Sequence, residues 1–309
     1  MQDDPGTGAA RRVARALFAG AALLTSAVAM ADAPFTVTDD TGAVLALSAV
    51  PRRIVSLAPG ATEMLFAIGA GNRVLGTSRY SDEPRAARSI PRIGDVAGLD
   101  LERILALRPD VVIVWKGGNP AAQIEQLQGL RLRLYRQHVT ALGDLPDSLR
   151  RLGLLVGAGV IADLRAAELT KRLAGLRSRY LTRPRLPVFL QIWNRPLYTV
   201  GGRHMMSDAL SLCGAENIFA ELGGEAPAVS VEAVLSRNPA VIVADAPPGQ
   251  ARAWLADWRR FPNMSAVRHQ ALIPFEDPRF GMLGPSAVEA TEKLCELLDR
   301  QRAATAASR

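Results

Sequence analysis

The sequence predicts an α/β protein of two similar lobes, each a mainly parallel sheet flanked by helices, joined by one long helix. The first observation behind this is a stretch that is written twice. D-L-E-R-I-L-A-L-R-P-D-V-V-I-V-W at 100–115 is answered, 130 positions on, by S-V-E-A-V-L-S-R-N-P-A-V-I-V-A at 230–244. Each copy reads as an N-capped short helix, a proline stop and an unbroken apolar run. Such a run suits a parallel strand covered on both faces. The N-cap (Asp100, Ser230), the first-turn glutamate (Glu102, Glu232) and the proline (Pro109, Pro239) fall in register. A period of this length denotes duplicated lobes, because solenoid repeats run about 20–50 residues. The second observation is the segment between the copies. Leu169, Leu173, Leu176 and Tyr180 form one apolar stripe on an otherwise charged helix, expected from Val160 to Thr182. A one-sided helix there is a connecting rod rather than a flexible linker. The third is the leader. Arg11, Arg12 and Arg15 precede an apolar run over 16–28 and an A-x-A site at Ala29–Ala31.

These boundaries divide the chain into a signal peptide over 1–31, an N-terminal lobe over 32–157, a linking helix over 158–183 and a C-terminal lobe over 184–309. The apolar run of the leader is too short to span a bilayer. The expectation is an exported, periplasmic protein, cleaved after Ala31, by either the general or the twin-arginine route.

The N-lobe opens with a hairpin around 39–42. The strand at Ile54–Leu57 follows, then a helix capped by Thr62, and the strand at Val74–Thr77, which delivers Arg79, Tyr80, Ser81 and Asp82 into a loop. After Trp115, Asn119 is expected to cap a helix that has Pro120 in its first turn. A strand at Leu132–Tyr135 and a helix at Asp147–Val156 close the lobe. The C-lobe repeats the plan. A strand at Val188–Ile192 carries Trp193, Asn194 and Arg195 at its end, and a helix at Met205–Leu212 runs into Cys213. A last strand at Leu272–Phe275 and a terminal helix from Ser286 to Arg300 complete it.

The chemistry of catalysis is absent from the sequence. No phosphate-binding glycine loop and no nucleophile elbow occurs, and His138, His204 and His269 stand far apart without ligand spacing. An enzyme, a cofactor and a bound metal are therefore not expected. The net charge of +7 is spread over helices and loops with no aromatic-interleaved stripe, which speaks against nucleic acid. Cys213 and Cys295 are the only cysteines, and in an exported chain an isolated pair reads as a disulfide.

What remains is a set of rings at strand ends: Tyr80, Trp115, Trp193 and Tyr198. In α/β sheets, ligands sit beyond the carboxyl ends of strands. Rings there suit a large planar ligand, although rings in such places also serve as core. Trp254 and Trp258, four apart, fit helix packing better. Glu102 and Glu232 have a sufficient role on the helix macrodipole. Their equivalence also offers one carboxylate per lobe to a two-fold partner carrying arginines.

Several stretches carry a resemblance: S-L-A-P-G-A-T-E at 56–63, Y-S-D-E-P at 80–84, the run from Asp100 to Asn119, and C-G-A-E-N-I-F at 213–219. Over most of 52–300 the chain resembles the vitamin B12-binding proteins of ABC importers, substrate-binding proteins whose two lobes are joined by a single helix. The resemblance implies small hinge motion and capture of cobalamin or a related corrinoid between the lobes. It implies delivery to a permease dimer driven by a cytoplasmic ATPase, with the binding protein a monomer that meets the membrane only through the permease. Haem or a ferric siderophore is the alternative ligand. It further implies that Tyr80 and Trp115 line the pocket, that Glu102 and Glu232 dock on permease arginines, and that Cys213 and Cys295 are bonded. Trp193, Arg195, Tyr198 and Phe280 complete the expected wall. Val96 and Ala226 stand where the best-known member has tryptophans, and Trp193 is read as a replacement ring.

Overall fold

The computed structural model describes residues 35–224 and 226–307. The signal segment at 1–31 and its cleavage position lie outside them. The N-lobe comprises β1 (Phe35–Thr38), β2 (Val44–Leu47), β3 (Ile54–Ser56), α1 (Pro59–Ala67), β4 (Val74–Thr77), α2 (Leu101–Ala106), β5 (Val111–Trp115), α3 (Ala121–Gly129), β6 (Leu134–Gln137) and α4 (Leu145–Leu155). The long helix α5 (Gly159–Tyr180) leads to β7 (Leu186–Gln191), α6 (Met205–Leu212), β8 (Ala215–Asn217), α7 (Val231–Arg237), β9 (Val241–Asp245), α8 (Ala251–Ala256), α9 (Ser265–Arg268), β10 (Leu272–Phe275) and α10 (Ser286–Ala307). Strands β1 and β2 form the small antiparallel hairpin.

Each lobe holds a four-stranded parallel sheet. The orders are β4-β3-β5-β6 and β8-β7-β9-β10, the same order under the same displacement along the chain. The duplication seen in the sequence is thus a duplication of topology.

Strand alternation divides the core. Val55, Val112 and Val114 face the outer side of the N-lobe with Ile104 and Leu127, and Phe189, Ile242 and Ala244 face the outer side of the C-lobe with Trp254 and Trp258. The opposite faces, Ile54, Val111 and Ile113 in one sheet and Val188, Leu190, Val241 and Val243 in the other, belong to a single cluster. That cluster runs through α4, α5, α6 and α10 and includes Leu149, Leu169, Leu210 and Leu294. Pro34–Arg309 accordingly forms one compact unit. The two sheets share one apolar interior, against which α5 packs its single apolar face.

Local chemistry explains where elements begin. Asp100 and Ser230 cap α2 and α7 by accepting from the N–H of Arg103 and Ala233, as their positions predict. Helix α1 starts at Pro59, ahead of Thr62. The Thr62 hydroxyl is engaged elsewhere, donating to Ser56 Oγ at 2.8 Å, so it caps nothing. Asn119 also does not cap: its Oδ1 accepts from Trp115 N at 2.7 Å, leaving Pro120 at the helix start. Helix α4 begins at Leu145 rather than Asp147, and β6 lies two residues beyond the run predicted from apolarity, because Gln137 pairs with Trp115. On α2 only Ile104 is buried, and Leu105 is exposed. Strand β8 has no apolar pattern and was not legible in the sequence. The disulfide Cys213–Cys295 is formed and joins α6 to α10.

Candidate functional site

The carboxyl ends of both sheets are brought against each other. Ser286, at the start of α10, donates from its backbone N–H and its hydroxyl to the two carboxylate oxygens of Glu63 on α1, at 2.6 and 2.8 Å. Gly60 lies so close to the Leu283 carbonyl that any Cβ there would collide with it. On a second line, Asp208 of α6 accepts from Leu142 N, beyond β6, at 2.8 Å. Burial is the main reason the Glu63 carboxyl is pushed up to about 7, with Glu83 and Glu289 adding to the effect and the Ser286 bonds opposing it. These contacts fix the strand ends of the two lobes as neighbours.

On the N-lobe, Tyr80 stands 64% exposed on the loop after β4. The loop is held from beneath: Arg92 donates to Ser81 O at 3.0 Å and to Asp82 Oδ1 at 2.7 Å, and Arg79 pairs with Asp95 at 3.0 Å. Trp115 ends β5. Its ring is partly buried against the shared core and lies over Gly118, where a side chain would strike it. Glycine there and the Asn119 bond to Trp115 N set the ring's position. Gln123 of α3 donates to the carbonyls of Asp95 and Val96, both at 3.1 Å, and so fastens the neighbouring loop, from which Val96 projects into solvent.

On the C-lobe, Trp193 is 48% exposed and stands edge-on to the buried Trp254 at 5.9 Å. Tyr198 is half-buried and bridges back to Trp193 and across to Ala228. Arg195 pairs with Asp257 at 3.2 Å and lines, with Leu197, Ser230 and Phe261, a cavity of about 520 Å³ at the start of α7. Its guanidinium is therefore engaged on the C-lobe's own surface. Phe280 has no exposed area and packs edge-to-face on Phe275 at 5.2 Å. The expectation that it forms part of the wall is corrected, since it is core that backs the loop. Trp258 is also core, its indole N–H donating to Gln191.

Pattern alone did not single out Asp245. It ends β9, and its carboxyl is pushed up to about 7 by burial and by the charge of Asp277. Among the described residues no donor reaches it. Asp277 itself is held well below the usual range by Arg279 and Lys293. Of the three histidines, His204 caps α6, accepting from Met206 N, and burial lowers its pKa to about 4. Among the described residues no group of three or more His, Cys, Asp or Glu is placed to hold a metal ion, and no helix is long and apolar enough to cross a membrane.

Glu102 and Glu232 sit exposed in the first turns of α2 and α7, and neither meets a cation among the described residues.

The profile of the periplasmic binding proteins matches residues 54–274, from the start of β3 to all but the last residue of β10. The chain belongs to the periplasmic binding protein family. This is a family of binding proteins rather than of catalysts. The chain is 35% identical over 253 residues to the vitamin B12-binding protein of Photorhabdus laumondii, a match that covers 82% of this chain and 90% of that one. The crystal structure of the periplasmic vitamin B12-binding protein BtuF of Vibrio cholerae superposes with a TM-score of 0.76 at 30% identity, over 82% of this chain and 98% of that one. The apo haem-binding protein RhuT from Roseiflexus shares the fold, with a TM-score of 0.70 at 22% identity over 81% and 98% of the two chains.

Proposed function

We propose that this protein captures cobalamin or a related corrinoid between its lobes in the periplasm and delivers it to an ABC importer. The observation that carries the proposal is Trp115, a ring fixed by Gly118 and Asn119 at the carboxyl end of β5, on the face the two lobes share. Tyr80 and Trp193, open to solvent at other strand ends, supply further apolar area for a bulky ring system. The names of the relatives that match most of the chain's length agree with this ligand. Because the lobes share a core, the cleft closes by small adjustments around α5 rather than by wide opening.

The experiment is a titration of the purified chain with cyanocobalamin, haemin and a ferric siderophore, followed by tryptophan fluorescence. Saturable quenching by the corrinoid in preference to the other two supports the proposal. Preference for haemin or the siderophore would replace cobalamin with the alternative ligand.

Glu102 and Glu232 are the proposed docking pair for a permease dimer. Both are exposed, uncompensated and equivalent under the duplication, so each can meet one arginine of a two-fold partner. A chain with Glu102→Ala and Glu232→Ala should bind ligand as the wild type does and fail to support uptake. Undiminished uptake would remove the docking role.

A further inference from the structure

Several arginines of the N-lobe lie apart in the sequence and are gathered by the fold. Arg52 and Arg53 precede β3, and Arg131 and Arg133 precede β6, so all four stand at the amino ends of the sheet. That is the opposite edge from Trp115. Two cavities open between these residues and β2. One, of about 500 Å³, is lined by Asp39, Val44, Arg131, Arg133 and Arg136. The other, of about 520 Å³, is lined by Leu47, Arg52, Arg53, Asp110 and Arg133. Arg133 borders both, so the two adjoin as one groove.

The charge of the groove is not balanced by its own lining. The two acids there are already occupied. Asp39 accepts from the N–H groups of Thr41 and Ala43 and faces the Arg136 guanidinium at 3.7 Å. Asp110 accepts from the N–H groups of Arg52 and Arg53 at 2.8 and 2.9 Å. The Arg53 guanidinium is engaged by the carbonyls of Leu107 and Arg108. Among the described residues no carboxylate reaches the guanidinium of Arg52, Arg131 or Arg133, and all three residues are exposed. Arg131 holds φ at +57°, the left-handed region where glycine or asparagine is usual after a helix. A cation at that position suits the C-terminal end of α3. That accounts for one guanidinium. It does not account for three, from two separate segments, brought to one groove against their mutual repulsion.

We infer that this groove is a second binding site, separate from the ligand cleft, for a ligand carrying two or more oxyanion groups of the phosphate type. Guanidinium forks match phosphate oxygens two by two, with a geometry that an ammonium lacks. Arg131 and Arg133 flank one cavity, Arg52 and Arg133 the other, and the shared Arg133 stands where neighbouring groups of one ligand would meet. This chemistry is common to a soluble polyphosphate and to the phosphate headgroups of a lipid surface.

The test is calorimetric titration of the exported chain with tripolyphosphate, beside flotation with phosphatidylcholine vesicles made with and without phosphatidylglycerol. Saturable binding of tripolyphosphate that weakens as salt is raised marks a soluble source, and flotation with the anionic vesicles alone marks a lipid surface. Arg131→Gln with Arg133→Gln should weaken the binding seen by about tenfold or more, the loss expected of charge-assisted hydrogen bonds. Lys171→Gln with Arg177→Gln removes the same charge from exposed positions on α5 and should change it by less than about twofold. Arg52→Gln keeps the backbone bond to Asp110 and gives a second expected loss should the double variant fold poorly. Cyanocobalamin affinity should be the same in every variant, so failure of the corrinoid function leaves this site standing. Binding of neither probe by the wild type overturns the inference. Undiminished binding by the arginine variants, or an equal loss in the α5 variant, overturns it as well.

Discussion

The two lobes are built to one plan and finished differently. Their sheets have the same strand order and the same capped helix ahead of the central strand, yet only the C-lobe is cross-linked, through Cys213 and Cys295. At the strand ends the N-lobe presents Tyr80 and Trp115 and holds a set of hydrogen-bonded hydroxyls (Ser56, Thr62, Thr77), while the C-lobe presents Trp193 edge-on to Trp254 and ends β9 in Asp245. Duplication supplies the clamp, and divergence at strand ends gives its jaws different chemistry. In parallel sheets this is where change is least disruptive, because the strand interior is buried on both faces and the loop beyond it is not.

The largest test of that difference concerns the disulfide. It closes a loop of 82 residues, and the chain-entropy account gives it roughly 4–5 kcal/mol. Cys213→Ser with Cys295→Ser should lose about that much in chemical denaturation. Amide exchange should rise first in α6 and α10. Equal loss of protection in α1 and α4 would show that the shared core makes the lobes one cooperative unit.

Next in size is the junction at Glu63. Its folded-state pKa, about 7, lies above the ordinary carboxylate value, so the folded chain holds a proton that the unfolded chain releases. The stability this contributes is present at low pH and is lost as pH rises from about 4.5 through 7, by an amount on the order of 3 kcal/mol at most. Asp245 shifts in the same direction and adds to the slope. Melting temperatures across that window should fall for the wild type and fall less for Glu63→Gln. Parallel curves would show that Glu63 stays ionised in its pocket.

Smaller again is the contrast between rings. Trp115→Ala should weaken ligand binding by about 2 kcal/mol, roughly thirtyfold, as the loss of a buried anchor does. Trp193→Ala should cost less, because that ring is half exposed and already leans on Trp254. A larger loss at Trp193 would make the C-lobe the principal jaw.

Much of this was legible in the sequence, and what was not has physical causes. The duplicated capped helix, proline and strand announced the fold because capping, proline geometry and apolar runs are local signals. Trp115 was legible for the same reason, as a ring placed at the end of such a run. Strand β8 was not, because Ala215-Glu216-Asn217 has no apolar pattern and is a strand only through its pairing with β7. Phe280 was misjudged, since a ring after a strand looks the same whether it faces a cleft or folds back on Phe275. Asp245 could have been found by carrying the repeat one residue further, to the position equivalent to Trp115.

One ring-shaped ligand is proposed to lie between the two carboxyl edges, faced by Trp115. The most direct measurement is a crystal structure of the protein grown with cyanocobalamin. It should show the corrin between the two carboxyl edges and against the Trp115 ring. A corrinoid bound on an outer face, or a cleft closed by its own side chains with the ligand elsewhere, would contradict the account.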